Sequence, residues 1–158
     1  MIHDSVQELK ARLAPGKRLL GLDVGSKTIG MAVSDATLNV AAAVDTIRRT
    51  KFTKDAAQLA EIIGARDVGG IVIGLPVSMD GSEGPACQSI RQFAANLDQK
   101  LGGQFDLGIA FWDERLSTAA VERLLIDEAD MPRQRRRQVV DKMAATYILQ
   151  GALDALGG

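Results

Sequence analysis

The chain of 158 residues has one cysteine, one histidine, four prolines and very few aromatic side chains, and each scarcity removes a class of function. A lone Cys87 forms no internal disulfide, which sets aside disulfide-framed secreted scaffolds and suits a reducing cytosol. With no second cysteine and no neighbouring histidine, Cys87 reads as a partly buried small side chain. The only histidine, His3, falls in a stretch expected to fray, so a zinc site and serine–histidine or cysteine–histidine nucleophiles are excluded. Aromatics make up 4% of the chain, too few for a platform that stacks single-stranded bases. No apolar run approaches the ~20 residues of a membrane span, and the N-terminal stretch, with Asp4 and Glu8, lacks the apolar core of a signal peptide. A soluble, cytoplasmic protein without a membrane partner is expected. A net charge of −1 neither demands nor excludes a polyanionic partner.

What is present is a core-forming composition, 46% apolar, in a length suited to one domain. Residues 1–17 read as a peripheral N-terminal segment, with one short helix capped by Ser5 and Glu8 and ending near Pro15–Gly16. Residues 18–158 read as a single domain. Period-two patterns predict strands over 18–23, 28–34 and 40–49, joined by short turns as an antiparallel meander. From Thr53 a helical face carries Ala56, Leu59, Ala60 and Ile63. "GGIVIGLP" (69–76) is a buried strand stopped by Pro76, and "VSMDGSEG" (77–84) is a polar loop. A helix is expected over 85–101 with Ile90, Phe93, Ala94 and Leu97 inward, then a fifth strand over 105–114. Helices over 119–128 and 134–153 complete a mixed sheet covered by helices.

Acidic residues occupy three conspicuous places. Asp23 follows the apolar residues of the first strand, and Asp113 and Glu114 end the fifth. Asp141 shares a helical stripe with Ala144, Ala145, Ile148 and Ala152, which puts it on the inward face where two alanines permit a close approach to the sheet. Carboxylates in such positions repel one another, and Mg²⁺ or Mn²⁺ relieves that conflict. Two ions roughly 4 Å apart would activate water and stabilise the leaving oxygen of a phosphodiester. Each acid also has an ordinary alternative: Asp23 as a turn cap, Glu114 paired with Arg115, Asp141 paired with a nearby arginine. Arg133, Arg135, Arg136 and Arg137 precede Asp141 and Lys142 follows it, a density that suggests a track for a phosphate backbone. Arg48, Arg49, Lys51 and Lys54 form a second basic run. The loops "GSKT", with Gly25 and Lys27, and "SMDGSEG", with Ser78 and Gly81, offer backbone N–H groups to phosphate.

Together "GLDVGSKTIGMAVSD", "GIVIGLPVSMDGSEG", "DERLST" and "VDKMAATYILQ" resemble the bacterial pre-16S rRNA nuclease family, which is related to Holliday-junction resolvases. The likeness runs in order from Leu19 to Leu153. It implies a ribonuclease H-like α/β fold, a five-stranded mixed sheet with its first three strands antiparallel, flanked by helices. It also implies metal-binding and catalytic roles for Asp23, Glu114 and Asp141, with Asp113, Arg115, Gly25, Gly30, Gly81, Ala144 and Ala145 around them. Lys27, Ser78, Arg115, the four arginines and Lys142 are the expected nucleic-acid contacts. The chain departs from many relatives at Thr28, where they carry an arginine, which removes a phosphate contact but no metal ligand.

The reading is a metal-dependent endonuclease acting on structured RNA, in maturation of the 16S rRNA precursor and in contact with pre-ribosomal particles, as a monomer or weak homodimer. The alternatives are a resolvase-like nuclease of DNA four-way junctions, which favours a dimer, and a non-catalytic nucleic-acid-binding or transcription-associated factor. "LDVGSKTIGMAVS" also resembles the first phosphate loop of actin-like ATPases and sugar kinases, but 158 residues do not supply the second lobe those proteins need.

Overall fold

The computed structural model describes residues 1–115 and 133–157, with side chains for 1–115 and 143–157. Strand β1 (Arg18–Val24) shows how the sheet sorts its residues. Leu20, Leu22 and Val24 enter one hydrophobic core, while Leu19 enters a second core on the other face. Side chains alternate along a strand, so Gly21 and Asp23 share the face of Leu19. Strands β2 (Thr28–Ser34) and β3 (Ala41–Arg48) continue antiparallel from β1. After helix α2 (Phe52–Ala65), strand β4 (Val68–Leu75) returns parallel to β1 on its other side. Helix α3 (Pro85–Phe105) leads to β5 (Gly108–Asp113), parallel to β4. The sheet order is β3-β2-β1-β4-β5, the five-stranded mixed sheet with an antiparallel first half that the sequence predicts.

Helices cover both faces, as a sheet with parallel strands requires. Helices α2 and α3 pack over the larger core, which includes Leu22, Ile29, Leu59, Ile73, Phe93 and Leu97. The opposite face is covered by α1 (Val6–Ala11) and by α4 (Arg133–Gly157), which crosses β1, β2 and β3. Ala145, Ile148 and Ala152 of the expected inward stripe are buried there, as is Leu149, while Ala144 is half-buried. The helix lies very close to the sheet. A Cβ built on Gly21 would come 2.7 Å from Leu149 Cβ and 3.1 Å from the Ala145 carbonyl oxygen.

Several boundaries differ from expectation, and β5 begins at Gly108 rather than at 105 because α3 runs through Phe105. The N-terminal segment is not peripheral: Val6 and Leu9 are buried in the second core, and Ile2 bridges Ile109 in parallel at the β5 edge. His3 is buried rather than frayed, its N–H donating to the Ile109 carbonyl at 2.7 Å. Ser5 caps α1 by accepting from the Glu8 N–H, as expected, but the helix stops at Ala11. Helix α3 runs through Gly102 and Gly103 to Phe105, because Asp106 takes the left-handed conformation (φ 53°) that ends it. Cys87 is fully buried. The expected helix over 119–128 lies outside the described residues.

Replacing Gly21 by alanine is expected to destabilise the fold by about 1–3 kcal/mol, because neither Leu149 Cβ nor the α4 backbone yields without shifting the helix. Urea unfolding checks this: the midpoint should fall with an unchanged slope, and an unchanged midpoint would show that α4 moves away freely.

Candidate active site

Strands β1, β4 and β5 are parallel, so their carboxyl ends open on one edge of the sheet. In open α/β sheets, ligands bind at that edge, where the strand order reverses direction. Here the reversal falls between β1 and β4. A cavity of about 410 Å³ lies there, lined by Asp23, Val24, Gly25, Ser26, Arg49, Pro76, Ala86, Ser89, Ile90 and Glu114. The structure therefore brings Asp23 and Glu114 to one cavity, although they are far apart in sequence.

Two glycines flank Asp23, and the one on the side of Glu114 makes room for this meeting. Gly30 is the partner of Asp23 on β2. On the other side, Gly74 lies one residue past the Leu22–Ile73 pair, next to Asp23. A Cβ on Gly74 would sit 2.6 Å from Glu114 Oε1 and 2.6 Å from Ile148 Cδ1. The Glu114 side chain thus passes over the bare backbone of Gly74, in the strand between its own and that of Asp23. The Glu114 N–H donates to the Leu75 carbonyl at 2.9 Å, which fixes the turn that aims it. Burial, then the charge of Asp23, then that of Asp113, push the Glu114 carboxyl up from its ordinary 4.5 to about 7.

Neighbouring residues hold the rim. Arg115 pairs with Asp113 rather than Glu114: Nη2 lies 2.6 Å and Nε 2.9 Å from Asp113 Oδ2. That pairing holds the Asp113 carboxyl below its ordinary range. The same guanidinium donates to the Ser78 and Met79 carbonyls at 3.3 and 3.5 Å, tying the 77–84 loop to the end of β5. Within the loop, the Gly81 N–H donates to the Ser78 carbonyl at a φ of +88°, which glycine adopts without strain. Ser78 and Lys27 are exposed near these turns. Arg49 stands out in the sequence only as part of a basic run, yet it lines the cavity. Gly74 carries no sequence signal beyond its place in an apolar strand.

Asp141, Lys142, Arg133, Arg135, Arg136 and Arg137 belong to α4, but their side chains lie outside the described residues. Ala144 and Ala145, one turn on, sit half-buried and buried against the sheet. Among the described residues, no three His, Cys, Asp or Glu side chains form a metal cluster. No described helix is long and apolar enough to cross a membrane.

A family model described as "RuvX: Holliday junction resolvase" matches residues 17–155, nearly the whole chain. The chain belongs to the RuvX family. A relative from Rhodospirillum centenum named "Putative pre-16S rRNA nuclease" is 62% identical over 154 residues, covering 96% of this chain and 81% of the relative. One of the same name from Paramagnetospirillum magneticum is 60% identical over 151 residues, covering 96% and 94%. Among solved structures, Thermus thermophilus RuvC bound to a Holliday junction matches with a TM-score of 0.57 at 12% identity, covering 90% of this chain and 96% of that one. The yeast mitochondrial Holliday-junction resolvase Ydc2 matches at 0.53 and 11%, covering 94% and 82%. At such identities the structural likeness concerns the fold, and it agrees with a ribonuclease H-like architecture for this RuvX member. It is a member of a nuclease family.

The raised Glu114 pKa has a stability consequence. The folded protein holds this proton more tightly than the unfolded chain does, so the contribution is complete below about 4.5 and is lost as pH rises through about 7. Metal-free protein should therefore lose stability across that window, and Asp23→Asn, which removes one cause of the shift, should flatten the loss. Chemical denaturation at a series of pH values reads both, and equal profiles would show that the two carboxylates do not interact.

Proposed function

We propose that this protein is a metal-dependent endonuclease that hydrolyses phosphodiesters of structured RNA, in maturation of the 16S rRNA precursor ends. The observation that carries the reading is the cavity shared by Asp23 and Glu114, where burial and the charge of Asp23 raise the Glu114 pKa. An all-carboxylate oxygen donor set fits Mg²⁺ or Mn²⁺ and suits zinc poorly. Asp23 and Glu114 would hold such an ion, with Asp141 as the third ligand and two ions in the substrate complex. When bound, such ions activate water and stabilise the leaving oxygen. The chain supplies rigidity: Asp23 on a central strand and Glu114 on a turn bonded to Leu75 are held before substrate arrives.

The RNA substrate is supported by the name shared by relatives of 60% identity and more. Lys27, Ser78, Lys142 and the arginines at 133, 135, 136 and 137 are proposed to hold the phosphate backbone rather than read bases. Arg115, engaged with Asp113 and the 77–84 loop, acts by holding Ser78 in place. A cytoplasmic location and contact with pre-ribosomal particles follow from this role.

The test is cleavage of precursor rRNA and a four-way DNA junction side by side, with Mg²⁺, Mn²⁺ or EDTA. Cleavage of the RNA with either ion and none in EDTA is expected. Cleavage of the junction alone would assign the DNA reading, and cleavage of neither would favour a binding factor. Asp23→Asn, Glu114→Gln and Asp141→Asn should each lower single-turnover cleavage by at least ~10²-fold, the scale of lost metal-borne charge stabilisation. Thermal unfolding run alongside separates loss of chemistry from loss of fold, and near-wild-type cleavage by any of the three would refute its ligand role.

The arginine track has its own readout. Replacing Arg135 and Arg136 together by alanine should lower the slope of log K against log salt by roughly 0.7 to 0.9 for each phosphate left without its arginine. An unchanged slope would leave these arginines as a solvated basic face.

A further inference from the structure

Arg49 lines the same cavity as Asp23 and Glu114, and its place there is built rather than incidental. Its Nη1 donates to the Gly25 carbonyl at 2.7 Å, two residues past Asp23. Its backbone N–H donates to the Lys27 carbonyl at 2.8 Å. The guanidinium carbon lies 5.3 Å from the centroid of the Phe93 ring. Phe93 is itself buried and is met edge-on by Phe52, with centroids 5.7 Å apart. A long, rotamer-rich side chain is thus held by a hydrogen bond and an aromatic face, so little entropy remains to be lost on meeting a ligand.

The chemistry of that held group is also specific. Guanidinium carries five N–H donors, and among the described residues it uses one of them, on the Gly25 carbonyl. It forms no ion pair among the described residues. Ser26 and Ser89 line the same space and add hydroxyl donors. A cavity with acid at one position and a held arginine with serines at others matches a chain of phosphates, one near the carboxylates and another on the cation.

We propose that Arg49 binds a backbone phosphate of the nucleic acid inside this cavity, next to the phosphate that faces Asp23 and Glu114, and so positions the strand for cleavage. The assignment rests on the nuclease reading for its purpose, but its binding step is measurable without cleavage. Arginine matches phosphate through a bidentate fork, which alanine, glutamine and lysine do not reproduce.

The experiment measures binding of a labelled RNA hairpin and a labelled DNA duplex, each in two base sequences, in EDTA across a potassium chloride series. Wild type is compared with Arg49→Ala, Arg49→Gln and Arg49→Lys. Both neutral variants should lower the slope of log K against log salt by about 0.7 to 0.9, equally for both sequences, while the lysine variant keeps the slope. In cleavage assays KM should rise about tenfold in the neutral variants, with a smaller change in kcat. The glutamine variant keeps most of the side-chain stem, which guards the measurement against a folding defect in the alanine variant. An unchanged slope in both neutral variants overturns the proposal, because a strut that merely braced α3 against β3 would leave the salt dependence intact. A loss confined to one base sequence also overturns it, in favour of a base contact. If wild type binds with the expected slope but cuts nothing, the nuclease reading fails while the Arg49 assignment stands on the slope. If wild type binds neither nucleic acid, the assignment falls.

Discussion

Two carboxylates held side by side and partly out of water set the terms for the rest of this structure. Such a pair is costly wherever it occurs, because each charge raises the energy of the other and burial removes the solvent that would screen them. A flexible chain would separate them. Here they are kept together by attachment to the most constrained parts of the molecule: a central strand for Asp23, and the hydrogen-bonded turn after β5 for Glu114. The two hydrophobic cores on either side of the sheet supply the restraint, so the apolar interior fixes the polar arrangement at its edge.

The arginines around the cavity are placed to shape it. Arg115 neutralises Asp113 and fastens the 77–84 loop, and Arg49 is anchored on the turn that follows β1. Arg91 repeats the device one layer out, pairing with Glu83 at the end of the loop while its guanidinium lies 4.8 Å from the Phe111 ring centroid. Loop, strand end and helix start are therefore cross-braced by arginines, two of which hold the guanidinium over an aromatic ring.

The strands and helices are legible in the sequence because their apolar periods are strong. β2 falls on the predicted residues, and the inward residues Ile90, Phe93, Ala94 and Leu97 of α3 are buried. The N-terminal segment reads as peripheral because a six-residue helix gives little periodic signal, yet its Val6 and Leu9 fill the second core beside β4 and β5. The pair Gly102–Gly103 suggests a helix end, but glycine only weakens a helix, and the left-handed Asp106 is what ends this one. At the site, the sequence marks Asp23 and Glu114 by their strand-end positions, and the geometry brings both to one cavity. Arg49 is hidden because a basic run does not reveal which member turns inward. Gly74 is hidden because its contribution is the absence of an atom.

That absence has a mechanical side. A Cβ at residue 74 would fall on Glu114 Oε1 and Ile148 Cδ1, the far ends of two side chains that can swing aside. A substitution there would be accommodated at the glutamate rather than in the backbone, so the sheet would keep its form while the carboxylate left its place over β4. The bare strand is a template for a side chain that another element carries.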